Sequence, residues 1–353
     1  PVFDGHNDLL TAMHWPERSG PRDPLHRNAG GHLDLPRMRE GGMLGGFFSA
    51  FVPSQVAPND FAASTDAHGR YRLPTGAPLE ARQARTHVAA MMDAAHELAA
   101  ASDGTARIVT EPEAARTAMR EGVIAIALHL EGAEAIAPDL SDLDELLQAG
   151  VRSIAPAWSR DNAFAHGVPL AHPSSPDLAP GLTDAGRELV RACDARGILI
   201  DVSHLPETGF WDVLDATNGP VIASHSNAHA VCAHSRNLTD RQLDALAERD
   251  GVVGLNFGAG FLAPDGAWDE ELPVSVLVRH LDHLASRLGE SGVALGSDFD
   301  GARLPRCVGD ATRMQAPLRA VRDAGWSRAA IEALASENWL RVWSRARVRK
   351  VAG

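Results

Sequence analysis

A chain of 353 residues with a formal net charge of −13 carries a field that repels phosphate backbones, which argues against a nucleic-acid partner. Its 44% apolar and 22% charged residues supply a large core and exclude wholesale disorder. No apolar run reaches the roughly 18 residues that span a bilayer, and residues 1–15 lack a basic segment leading into an apolar one, so a soluble, cytoplasmic protein with no membrane association is expected.

The first short apolar run covers residues 2–5 and leads into His6 and Asp8. A second spans 44–51 and a third 123–128, the latter followed by Glu131. Ser141 then precedes Leu143, Leu146 and Leu147 at helical spacing, with Gly150 as the stop before a fourth run at 151–156. Thr183 and Gly197 bracket another helix, which feeds a fifth run at 198–202 ahead of His204. The sixth run, 220–223, leads to His225. Thr239 and Gln242 have the spacing of a capping box before Leu243 and Leu246, and Gly251 closes that element. Runs at 252–257 and 293–296 complete the set, the last ahead of Asp298.

Strands of this kind, buried on both faces and fed by helices, indicate a parallel sheet, because crossover helices are what join parallel strands. Eight of them predict an α/β fold closed as a (β/α)8 TIM barrel, a single domain over residues 1–353. No G-x-G-x-x-G follows any strand, as an open dinucleotide-binding sheet would require. Longer Pro-, Gly-, Asp- and Ser-rich segments at 53–80, 159–181, 258–273 and 301–316 are placed on the C-terminal rim as pocket walls. Cys193, Cys232 and Cys307 are too scattered for a disulfide framework or a zinc finger, and three buried, reduced thiols are expected.

His6 and Asp8 are two apart, so on an extended segment both side chains point the same way. Glu131 leaves a buried strand, where an unpaired charge is costly and a shared position between two cations would relieve it. His204 and His225 end successive strands that a barrel brings side by side. Two carboxylates and three imidazoles with no thiolate suit zinc and related borderline ions, cobalt and manganese included. Two such ions would sit roughly 3.5 to 4 Å apart, acidify a shared water toward a pKa of about 7 and polarise a carbonyl.

The motifs Asp4-Gly5-His6-Asn7-Asp8, Leu130-Glu131-Gly132, Asp201-Val202-Ser203-His204, Ser224-His225-Ser226, Arg236-Asn237-Leu238-Thr239-Asp240, Val252-Val253-Gly254-Leu255-Asn256-Phe257 and Gly296-Ser297-Asp298-Phe299-Asp300-Gly301 resemble, in order and spacing, the membrane (renal) dipeptidase family of the amidohydrolase superfamily. The resemblance implies a zinc-dependent dipeptidase acting on small dipeptides, those with a C-terminal D-residue included. His6, Asp8 and Glu131 would hold one zinc, and Glu131, His204 and His225 the other. Arg236 would bind the substrate carboxylate, for which a guanidinium is suited, with Asn256 among the substrate contacts. Asp298 would be the general acid/base, with Asp300 in reserve. Family members often dimerise, so a homodimer is a further expectation.

One departure stands out. Where the family commonly carries a histidine contacting the substrate carbonyl, the segment from Gly150-Val151-Arg152 leads to Trp158. An indole donates one hydrogen bond and does not titrate, so oxyanion stabilisation would fall to the metal or another donor, His166 being a candidate. Lactone or N-acyl-amino-acid hydrolysis and a non-catalytic metal-binding barrel are the alternative readings; a free Asp298 beside the five ligands argues against the last.

Overall fold

Each of the eight apolar runs is a strand with both faces covered. They are β1 (Val2–Asn7), β2 (Met43–Phe51), β3 (Ile124–Glu131), β4 (Val151–Ala155), β5 (Leu199–Asp201), β6 (Val221–Ala223), β7 (Val252–Leu255) and β8 (Val293–Leu295). The computed structural model describes residues 1–54, 65, 66, 69–73 and 75–346. Each strand pairs in parallel with the next, in chain order. The ring then closes through backbone bonds beyond β8: Asp8 N–H donates to the Phe299 carbonyl at 2.8 Å and Asp298 N–H to the His6 carbonyl at 3.0 Å. The buried Asp4 carboxylate adds to this seam by accepting the Ser297 N–H and O–H, both at 2.7 Å. The result is the (β/α)8 barrel.

Strand β3 runs three residues past the expected end because its register with β2 continues to Phe51 opposite Glu131. A short strand the periodicity does not announce, Ala106–Ile108, pairs with Ile124–Ile126 of β3, while β4 joins β3 only from Leu128 onward. Capping chemistry follows the sequence closely. Thr183 accepts the Gly186 N–H, Gly197 adopts φ 71° at the other end of Asp184–Arg196, and Thr239 and Gln242 bond each other reciprocally. Helix Leu143–Ala149 starts one residue later than Ser141 predicts, since the Ser141 hydroxyl is spent on Asp139 at 2.7 Å.

Residues 55–64, 67, 68 and 74 of the expected rim segment 53–80 lie outside the described residues. Its strand Tyr71–Arg72 pairs antiparallel with Ala171–His172, so the segments after β2 and β4 are tied together over the rim. The third and fourth segments carry the short helix Ala259–Leu262 and the turn Ala311–Arg313. All three cysteines are free, but Cys307 is only partly buried, being on the last of these surface segments. Among the described residues no helix is long and apolar enough to cross a membrane.

The end of the barrel opposite the rim is stoppered by helix Asn338–Arg345. Trp339 and Trp343 pack there against the early strand residues Phe3, Ala125, Leu199 and Val252, and Trp339 N–H donates to the Leu295 carbonyl at 2.9 Å. Gly5 and Gly254 are what admit this indole, since a Cβ on either would come within 2.3 and 2.8 Å of it. Gly5→Ala is therefore expected to overpack the plug at a cost of about 1–3 kcal/mol. Thermal unfolding followed by circular dichroism checks this, and an unchanged midpoint would show that the plug yields freely.

Candidate metal centre

The sequence places candidate polar residues at the ends of five of the eight strands, and closure of the barrel turns those ends into one rim. His6 is the penultimate residue of β1, Asp8 follows the strand, and Glu131 is the last residue of β3. His204, His225 and Asp298 lie just beyond β5, β6 and β8. All six are buried. His204 and Asp298 hold left-handed backbone conformations, φ 68° and 58°, which a non-glycine residue adopts at a cost of about 1–3 kcal/mol when the surroundings enforce it.

Glu131 is the centre of the arrangement because its two oxygens face different partners. Oε2 lies 3.5 Å from His6 Nε2 and accepts the Ser49 hydroxyl at 3.2 Å. Oε1 lies 2.9 Å from His204 Nε2 and 3.5 Å from His225 Nε2. His6 Nε2 is also 3.4 Å from Asp8 Oδ2, and the His6 and His225 rings stand 3.9 Å apart. Two groups of donor atoms converge within 4.8 Å, His6–Glu131–His225 and His6–Asp8–Asp298.

This donor set fits metal ions. Among the described residues, His6 Nε2, which faces Asp8 and Glu131, and Asp8 Oδ1 are buried without hydrogen-bond partners, and a cation would satisfy the lone pair of each. Burial works against charge on His6, but Glu131 and Asp8 more than offset it and push its pKa well above the usual value. Glu131 shows the converse: burial raises its pKa, yet His6 and His204 drive it well below the carboxylate range. The site thus sets the Glu131 carboxylate, whose ionised form the neighbouring imidazoles favour, among three histidines, a donor set that borderline divalent ions select.

The remaining candidates surround this cluster. Burial raises the Asp298 pKa to about 7, with His6 opposing and the Asp8 and Glu131 charges adding. Asn256 donates its amide to Asp298 Oδ2 at 2.9 Å and accepts the Gly258 N–H at 2.6 Å, so its polar atoms hold Asp298 in place. Arg236 is buried. Its Nη2 donates to the His225 carbonyl at 3.1 Å and its Nη1 to the Ser226 hydroxyl at 3.5 Å, its face lies over Phe261 at 5.8 Å, and its Nε has no partner among the described residues. Burial lowers its pKa to about 10, against the pull of Asp298, Glu131 and Asp201, and it stays cationic at neutral pH.

Trp158 stands beside the cluster, its ring 5.6 Å from that of His204 and 5.0 Å from Phe51. Arg160 stacks on it at 5.6 Å and is itself held by a buried ion pair with Glu134 at 2.8 Å. His166 pairs instead with Asp161 at 3.0 Å on a partly exposed loop. Asp300 is engaged by Arg22 at 3.2 Å and the His32 N–H at 2.7 Å, away from the acid/base position. Sequence reasoning assigns no role to five contributors. Glu134 and Arg160 pack beneath Trp158, Ser159 contacts His204, and Ser224 joins His225 to Asp201. The only sequence signal for these was that Asp201 and Ser224 belong to the same short motifs as His204 and His225.

Residues 1–352 match the membrane dipeptidase family, peptidase family M19. A metallopeptidase from Rhodobacter sphaeroides, solved with a phosphinate mimic of the dipeptide L-Ala-D-Ala, is 42% identical with a TM-score of 0.93 over 98% of this chain and 99% of its own. A dipeptidase of the same family is 40% identical with a TM-score of 0.91 over 99% of both chains. An uncharacterised protein of Klebsiella pneumoniae encoded in the pqqA 5′ region is 42% identical over 246 residues, 70% of this chain and 91% of its own. On a match over its whole described length and relatives at this identity, the chain belongs to the membrane dipeptidase family of metallopeptidases, peptidase family M19.

Proposed function

We propose that the protein hydrolyses dipeptides, including those with a D-residue at the C-terminal position, with two zinc ions in the rim cluster. His6, Asp8 and Glu131 would hold one ion, and Glu131, His204 and His225 the other. The observation that carries this reading is the division of Glu131, which offers one carboxylate oxygen to each half of the cluster. The Rhodobacter sphaeroides relative, bound to a mimic of L-Ala-D-Ala, supports the choice of substrate.

When bound, such ions supply Lewis acidity toward the peptide carbonyl and make an attacking water acidic enough to ionise near neutral pH. Arg236 orients the substrate by gripping its terminal carboxylate through a guanidinium whose Nε has no hydrogen-bond partner among the described residues. Asp298, steered by Asn256, accepts a proton as water adds to the carbonyl carbon. The same carboxyl returns that proton to the departing nitrogen as the C–N bond breaks, and two free amino acids result. Trp158 contributes a rigid apolar wall against which the substrate packs beside His204.

The test is a ninhydrin assay on L,L- and L,D-dipeptides and N-acyl amino acids, with lactone opening followed by the acid it releases in a pH-stat, each before and after chelation. Chelator-sensitive turnover of dipeptides is expected. Turnover of lactones alone would overturn the substrate assignment, and inactivity on every class would favour a binding protein. Within the same assay, Arg236→Met is expected to lower kcat/KM by about 10- to 100-fold, chiefly through KM, since a hydrogen bond to a charged group contributes about 1.5–3 kcal/mol. A loss confined to kcat would place Arg236 in the chemical step instead.

A further inference from the structure

The two halves of the centre differ in charge. On the reading above, the His6 half owns the Asp8 carboxylate besides its share of Glu131, with Asp298 close by. The His204–His225 half has only its share of Glu131, and the Arg236 cation bonds the His225 carbonyl at 3.1 Å. By electrostatics alone the second half should hold a cation less well.

What offsets this is a buried chain of hydrogen bonds behind His225. Asp201 Oδ1 accepts the backbone N–H of Ser203 and of Ser224, each at 2.9 Å, which fixes the carboxylate. Its other oxygen, Oδ2, accepts the Ser224 hydroxyl. With its proton so committed, Ser224 Oγ can only accept from His225 Nδ1, at 2.7 Å. His225 is therefore held as the tautomer with Nε2 free, and that nitrogen faces Glu131 and His204. His204 Nδ1 meets Ser159 Oγ at 2.8 Å, with no carboxylate hydrogen-bonded behind that serine among the described residues. Among the described residues, His6 has no such support on either ring nitrogen.

We propose that Ser224 is a positioning residue that relays the negative charge of Asp201 onto the His225 imidazole, and that the His204–His225 half depends on this relay for its ion while the His6–Asp8 half does not. The proposal rests on the ligand assignment above. A hydrogen bond from a ligating imidazole to a carboxylate-backed acceptor raises its basicity, and removing such support costs about 10- to 100-fold in metal affinity.

The test is zinc content of the loaded protein after equilibration in a graded series of zinc buffers, read by mass spectrometry, with far-ultraviolet circular dichroism as the check on folding. Wild-type protein should hold two zinc ions. In Ser224→Ala one of the two should leave at about 10- to 100-fold higher free zinc while the other is unmoved. Ser159→Ala should shift the same ion less. Asp201→Asn keeps the shape of the acceptor without its charge and should reproduce the Ser224→Ala shift, which keeps the relay testable if the serine variant fails to fold. Release curves identical to wild type, or an equal shift of both ions, would overturn the relay. A wild-type protein that never holds two ions would instead overturn the ligand assignment beneath it.

Discussion

Glu131→Gln is expected to strip zinc from both halves of the centre and to lower kcat/KM by about a thousandfold or more. The substitution keeps the size of the side chain but removes its charge and replaces one of two acceptor oxygens with an amide donor. Because Oε2 serves His6 and Oε1 serves His204 and His225, neither half retains its carboxylate on equal terms. Lewis-acid stabilisation is worth several kcal/mol, and every 1.36 kcal/mol is tenfold in rate, which sets the scale of the loss. Zinc content and steady-state kinetics on one preparation check it together. Retention of both would leave the split carboxylate without a purpose.

Asp298→Asn separates chemistry from metal binding. Its amide can still bond Asn256, but it neither accepts nor returns a proton, so kcat should fall by about 10²- to 10⁴-fold. Zinc content should stay near that of wild type, because Asp298 stands beside the five proposed ligands. KM should change little. A variant that lost zinc in step with activity would move Asp298 from proton transfer into the ligand set.

Much of this was legible because barrel strands and barrel active sites both leave local signatures. Buried parallel strands read as short apolar runs, and the proposed ligands at the rim sit one to three positions beyond those runs, as with His204 after β5 and His225 after β6. Thr183, Gly197 and Thr239 announce helix boundaries because capping is decided by neighbours in sequence. What escaped depends on partners distant in the chain. Ala106–Ile108 is a strand only because β4 leaves the early edge of β3 uncovered. Trp339 looks like any aromatic on an amphipathic helix until the open end of the barrel is there to receive it.

The same distinction holds within the site. Asn256 lies in a recognisable motif, yet its role against Asp298 needs the ends of β7 and β8 side by side, 42 residues apart in sequence. Arg160 and Glu134 form a buried pair beneath Trp158 that no spacing rule anticipates. The departure at Trp158 thus comes with supports of its own. The indole packs against Phe51 and the Arg160 guanidinium, which also touch each other, so the space beside His204 is bordered by an apolar ring in place of a titratable one.

Anomalous diffraction at the zinc edge from crystals of the zinc-loaded protein addresses the central claim without recourse to activity. Two peaks on either side of the Glu131 carboxylate, one within bonding distance of His6 and Asp8 and the other of His204 and His225, are predicted. A single peak, or density remote from Glu131, would contradict the account.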